Sequence, residues 1–292
     1  MTLFATEMPR LEKGSITLTQ ANAWMPYVHS PWRPGVGKDI HTTQLRLAKF
    51  IKFVGDLNVE EIGCGVMYTA QAHFSLQVKS GTVNRILAPS LTILNKLKKH
   101  ELLIRDVPTI DRKQEPKGRE RTYSPTQIAD LLEGMGSVPN GPTARSFMEF
   151  VCCTGCRQGE ALKLRWDTGV NFDANRITFL DVKERGDRSI PMSPRLRQLM
   201  ERLHAERVDD AEVFDISAKN LRKALKRAKQ IVGIDDPTLL WHSLRHYVIT
   251  DLWDKGHNLP TIQVIVGHKL MKTTQRYTKT RDQRIEDALA SL

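Results

Sequence analysis

Residues 107–123, VPTIDRKQEPKGRERTY, constrain this chain more than any other stretch. They are densely charged, show no apolar periodicity and are interrupted by Pro108 and Pro116. Such a segment cannot bury a face, and proline removes the hydrogen bond that a helix would need there. It therefore reads as a linker between two folding units. The second unit starts sharply. Ser124-Pro125-Thr126-Gln127 is a capping-box pattern with proline at the first helical position. Ile128, Leu131 and Leu132 follow on one face.

On the near side of the linker, residues 39–106 read as helices. Leu45, Leu47, Ala48, Phe50, Ile51 and Val54 recur at helical spacing until Gly55-Asp56. A second helix is predicted from about Val66 to Val78. Ser80-Gly81-Thr82 is read as the cap of a third, whose face is Val83, Ile86, Leu87, Leu91, Leu94 and Leu97. Pro89 lies inside that pattern, so a kink or split is expected near Ala88. Residues 1–38 read as an N-terminal extension. They offer a short helix opening after Ser15 or Thr17 and a loop at 31–37, PWRPGVG.

Charge sets the class of partner. The net charge is +11, and both sides of the linker share it: 17 basic against 11 acidic residues over 1–120, and 27 against 22 over 121–292. A protein this basic points to a polyanion, with nucleic acid first, gripped from two sides. No apolar run reaches the roughly 18 residues of a membrane span. The first residues show no charged leader with an apolar block, so a cytoplasmic protein with no membrane partner is expected. Three of the four cysteines, Cys152, Cys153 and Cys156, fall within five residues, and Cys64 stands apart. That spacing suits neither a disulfide framework nor a zinc site, for which a second ligand pair is missing. Neither a cofactor nor a metal is expected.

The second unit, 124–292, is mainly helical with a small hairpin, giving an α+β class overall. A helix from about Thr143 to Cys153 ends at Thr154-Gly155, and Arg157 follows the turn with Glu160 placed to brace it. Residues 177–183 and 188–192 read as two strands around Glu184-Arg185-Gly186-Asp187, which sets Lys183 at the hairpin mouth. A helix is expected over 194–206. Over 218–234 lies an amphipathic helix with Leu221, Leu225, Ala228 and Val232 inside and Lys219, Arg222, Lys223, Lys226, Arg227 and Lys229 outside. This densest basic stripe suits phosphate neutralisation in a groove, and it lacks the aromatic anchors of a membrane-surface helix. On the first unit, Arg85, Lys96, Lys98 and Lys99 lie off the apolar face of the third helix and offer a second phosphate-lining surface.

The stretch from Trp241 to Thr278 concentrates reactive side chains. His242 and Arg245 are three apart and share a helical face. His268 follows Gly267, which permits a turn back toward that face. Tyr277, between Arg276 and Lys279, is a nucleophile that nearby cations would activate.

Taken in order, Thr154-Gly155-x-Arg157-x-x-Glu160, the hairpin Lys183, His242-x-Leu244-Arg245-His246, Gly267-His268 and Thr273-Thr274-x-x-Tyr277-Thr278 resemble a tyrosine recombinase of the phage-integrase family. The resemblance is strong over about 122–292, weaker over 39–105, and silent on 1–38. It implies a helical core-binding domain at 39–106, contacting DNA through residues such as Arg85, Lys96 and Lys99, and a catalytic domain at 124–292. It implies site-specific cleavage and rejoining of double-stranded DNA through a 3′-phosphotyrosyl link, with strand exchange in a homotetramer. Arg157, Arg245 and His268 would hold the nonbridging oxygens, Tyr277 would attack, Lys183 would protonate the 5′-oxygen, and His242 would handle the tyrosine proton. A terminal segment such as 278–292 would pack on a neighbouring protomer or fold back on its own. Two other classes share these features: a type IB topoisomerase-like nicking and resealing enzyme, and a non-catalytic DNA-binding relative.

Overall fold

A capping box at Thr17 starts the first element. The Thr17 hydroxyl accepts from the Gln20 N–H, and the Gln20 side chain accepts from the Thr17 N–H at 2.9 Å. These bonds satisfy helix-end donors that would otherwise be orphaned. The computed structural model describes residues 8–29, 40–115, 121–180, 187–207 and 211–268. The chain divides into two units, Met1–Gly118 and Arg119–Leu292.

The first unit consists of α1 (Leu18–Val28), α2 (Ile40–Val54), α3 (Cys64–Ser75) and α4 (Ser80–Lys99). The long α4 is its centre and packs against the other three. Leu18, Trp24 and Met25 of α1 are buried with Leu47, Phe50, Met67, Ile86 and Leu94 in one core. The region read as an extension is thus in part a structural member of this unit. Backbone bonds stitch it in: Leu18 N–H to the Leu57 carbonyl at 3.1 Å, and Val59 N–H to the Ile16 carbonyl at 2.8 Å.

Three readings of this unit need correction. The α4 helix runs unbroken through Pro89, because the proline ring is itself buried in the core and packing outweighs the missing backbone bond. Its N-cap is Lys79 rather than the Ser80 region, and no side chain caps it. Of the predicted α2 face, Leu47 and Phe50 are fully buried, while Leu45 is half exposed. The linker is also shorter than its composition implies, since residues 109–113 are docked on their own unit. Gln71 Nε2 donates to the Asp111 carbonyl at 2.7 Å. The Asn84 amide pairs with the Lys113 backbone in both directions at 2.9 Å. Side-chain amides satisfy this extended backbone, and such pairing leaves no periodicity in sequence.

The second unit holds α5 (Pro125–Gly134), α6 (Gly141–Thr154), α7 (Gln158–Ala161), α8 (Trp166–Gly169), β1 (Val170–Asn171), β2 (Arg176–Phe179), β3 (Arg188–Pro191), α9 (Pro194–Ala205), α10 (Ala218–Ile231), α11 (Trp241–Asp254) and α12 (Leu259–Val266). The expected capping box forms at Ser124 and Gln127. α6 is the central helix, contacting α5, α9, α10 and α11. Around it Phe147 meets Phe214 and Trp241 edge-on at 5.2 and 5.3 Å. The Trp241 indole donates to the Leu221 carbonyl at 2.9 Å, pinning the start of α11 to α10. The three strands form an antiparallel sheet in the order β1-β2-β3, with Phe179 opposite Arg188. The hairpin was predicted; β1 was not, since two residues carry no periodicity. Among the described residues, no helix is long and apolar enough to cross a membrane.

Candidate active site

Two left-handed glycines bring the site together. Gly155 ends α6 with φ +60°, and Gly267 ends α12 with φ +69°. Glycine tolerates this conformation without the steric cost that Cβ imposes. Each glycine carbonyl then receives one arginine from elsewhere in the chain. Arg245 Nη1 donates to the Gly155 carbonyl at 2.7 Å, and Arg157 Nη2 donates to the Gly267 carbonyl at 3.0 Å. The turn signals Thr154-Gly155 and Gly267-His268 are therefore the supports of the two guanidinium groups.

Arg245 is only 2% exposed. Its Nη2 is buried with no hydrogen-bond partner among the described residues. Burial, with Arg157 close by, pulls its pKa down to about 10, so it stays charged at neutral pH. A buried cation with an unused donor is costly unless an anion completes it. Arg157 is more open, with its Nη1 bonded to Glu160 Oε1 at 2.6 Å and its backbone N–H to Glu160 Oε2 at 2.9 Å. The bracing by Glu160 read from the sequence is therefore present. Burial alone would raise the Glu160 pKa, but the Arg157 hydrogen bonds and the Arg188 charge hold it below the usual range.

The histidines lie against these charges. His268 is buried, and burial followed by Arg245 and Arg157 lowers its pKa to about 4. His242 is exposed at its surface; desolvation by its surroundings, then Arg245 and Arg157, lower it too. His246 stacks edge-on with His242 at 4.5 Å and is brought to about 4, by burial first and then by His242 and Arg245. All three shifts run in the direction that favours the neutral ring.

Of the six residues singled out for chemistry, the structure brings together Arg157, His242, Arg245 and His268. Lys183 and Tyr277 lie outside the described residues, as does the tail at 278–292. Sequence reasoning missed Arg188 and His246 as members of the cluster. His246 had entered only as the last residue of the His242-x-Leu244-Arg245-His246 motif, and Arg188 only as the first residue of the strand at 188–192. Its signal was available in the strand register, because alternation from Ile190 places position 188 on the buried face.

The basic positions expected to meet a polyanion divide by exposure. On α10, Lys219, Arg222, Lys223, Lys226 and Arg227 are all exposed, while Leu221, Ala224, Leu225 and Ala228 are buried. Lys229 leaves that stripe: its Nζ bonds the carbonyls of Asp236 and Leu239. On α4, Arg85 and Lys99 are exposed and Lys96 is half-buried. Lys98 instead binds the carbonyls of Ile104 and Arg105, at 3.1 and 2.9 Å, and pairs with Asp106. Cys152 and Cys153 end α6 as expected, and Cys156 is buried beneath the site with its thiol pushed up to about 11 by burial.

Residues 121–284 match the model of the phage integrase family. A tyrosine recombinase XerD from Xanthomonas axonopodis pv. citri is 29% identical over 210 residues, covering 64% of this chain and 68% of that protein. A tyrosine recombinase XerA from Thermococcus kodakarensis is 24% identical over 265 residues, 86% of this chain and 89% of its own. A shufflon-specific DNA recombinase of Escherichia coli is 32% identical over 129 residues, with 44% of this chain matching 32% of that one. Two solved structures share the fold. The Tn1549 transposon integrase in complex with circular intermediate DNA has a TM-score of 0.72 at 17% identity, covering 94% of this chain and 99% of its own. A lambda integrase tetramer bound to a Holliday junction has a TM-score of 0.76 at 14% identity, covering 91% and 78%.

Proposed function

Because the chain belongs to the phage integrase family and is a tyrosine recombinase, we propose that it cuts and rejoins double-stranded DNA at a specific site through a 3′-phosphotyrosyl intermediate. The observation that carries this reading is the buried Arg245 fork: one arm is fixed on the Gly155 carbonyl and the other has no partner among the described residues. A phosphodiester oxygen is the anion that such a donor, facing the Arg157 fork and His268, is built to receive.

The proposed steps use this chain's own residues. Arg157 and Arg245 hold the two nonbridging oxygens, and neutral His268 adds one N–H donor. The Tyr277 phenol attacks phosphorus and gives its proton to His242, whose lowered pKa leaves it free to accept one. The bond from phosphorus to the 5′-oxygen breaks, and Lys183 supplies the proton that leaves with it. A Tyr277–phosphate ester replaces the broken ester, so a 5′-hydroxyl from another strand reverses the steps without an external energy source. No step in this sequence calls for a cofactor.

Exchange between two duplexes requires four active sites, so a homotetramer on DNA is part of the proposal. A lambda integrase was solved as a tetramer on a Holliday junction, which supports it by analogy of fold. The duplex is gripped by Lys219, Arg222, Lys223, Lys226 and Arg227 on α10 and by Arg85, Lys96 and Lys99 on the helical unit, which serves as the core-binding domain. The setting is the cytoplasm of a bacterial, archaeal or phage-infected cell.

The test is covalent trapping. The protein is incubated with a pool of nicked duplexes from which the released 5′ strand diffuses away, and DNA bound to denatured protein is sequenced. The expected result is one recovered site, joined through its 3′-phosphate, and no adduct with Tyr277→Phe although that variant still binds the site. An adduct that survives Tyr277→Phe overturns the nucleophile assignment.

A further inference from the structure

Arg188 stands on β3 opposite Phe179, on the sheet face that buries Ile177 and Ile190. Charged side chains are rarely buried unless paired, so an arginine on the inward face of a small sheet needs a reason. Its guanidinium makes three contacts from that position. The plane lies over the Phe179 ring, 4.2 Å from its centre. Nη2 pairs with Glu160 Oε2 at 2.9 Å, and Nη1 bonds the Ile265 carbonyl near the end of α12. Gly267 lies directly against it: a Cβ at 267 would come within 2.6 Å of Arg188 Nε.

These contacts close a ring with Arg157. Glu160 takes Arg157 on one carboxylate oxygen and Arg188 on the other. Arg157 reaches the Gly267 carbonyl, while Arg188 holds the chain two residues earlier. Without Arg188, Glu160 keeps one guanidinium only, and the α12 terminus loses a tie to the sheet.

We infer that Arg188 is a positioning residue: through Glu160 and the Ile265 carbonyl it fixes the Arg157 fork and the Gly267 turn that presents His268. It does not touch the reacting atoms. The inference deepens the proposed phosphodiester chemistry and rests on Arg157 holding phosphate there.

Two readouts test it. In the ¹⁵N-labelled full-length protein, the Arg157 Nη signals, assigned by their loss in Arg157→Lys, report whether the fork is locked. They are expected to be resolved in wild type and averaged in Arg188→Gln; where that variant fails to fold, Arg188→Lys serves, since a lysine lacks the planar fork that reaches Glu160 and Ile265 from one stacked position over Phe179. Single-turnover cleavage by the Arg188 variant is expected to fall about 10- to 100-fold with DNA affinity unchanged, the scale of a small misplacement of a catalytic group. In an Arg157→Ala background the same change is expected to cost less than about 3-fold, because residues acting as a unit are non-additive. Arg157 signals that stay resolved, or effects that multiply, overturn the inference. A wild type that forms no adduct refutes the proposed function, while the Arg157 signals still decide the role of Arg188.

Discussion

Arg245 shows how much a single side chain carries here. Its position was legible, since His242-x-Leu244-Arg245 puts it on the face of a helix with the histidine. Its burial and its tie to Gly155 were not, because they depend on a residue 90 positions away. The same holds for the histidines, whose neutrality comes from burial and from arginines on other elements. It has a consequence for stability. His246 and His268 titrate near 4 in the folded chain against an ordinary 6.5. Between those values the unfolded chain binds more protons, so folding is stabilised fully above about pH 6.5 and loses that contribution as pH falls toward 4. The urea midpoint is expected to decline over this window, and less steeply in His268→Asn. An unchanged slope in that variant would show that His268 does not contribute.

At the scale of elements, helix ends join the α11 face in building the site. Gly155 illustrates this. A Cβ there would sit 2.9 Å from Val266 Cγ1 and 3.1 Å from Val248 Cγ1, on a backbone at φ +60°. Gly155→Ala therefore suffers both left-handed strain and overpacking, expected to destabilise by about 2 kcal/mol or more in urea unfolding. It is also expected to weaken cleavage beyond that loss, because the carbonyl that holds Arg245 shifts. Gly159, with open space around it, is the control, and Gly159→Ala is expected to stay within about 0.5 kcal/mol of wild type. Periodicity found α6, α9 and α10 to within a few residues, and the start of α5. It did not find α12 or β1, and of the kink or split expected near Ala88 the split does not occur, since α4 continues through Pro89. Local pattern reports which face is apolar; it cannot report that a proline ring fits a core.

For the whole molecule, the two basic units are expected to act on one polyanion. Affinity for a DNA duplex should fall steeply with salt, since phosphate contacts release counterions. Full-length protein is expected to show a steeper logarithmic salt slope than residues 119–292 alone, and charge removal at Lys219, Lys223 and Arg227 should flatten either slope. Equal slopes for the two proteins would argue that the helical unit does not grip the duplex.

The chain alone determined its class and a division within residues 107–123, and it singled out the candidate reactive side chains. Those depend on composition, apolar spacing and short motifs, which are properties of neighbouring residues. The tertiary structure decided the rest: that α1 belongs to the first core, that residues 109–113 are docked, that Lys98 and Lys229 are structural, and that Arg188 belongs to the cluster. Each of these depends on groups distant in sequence meeting in space, where burial and shared hydrogen bonds set the energy of a charge. Beyond the strand alternation that puts Arg188 on the buried face, no local pattern contains that information.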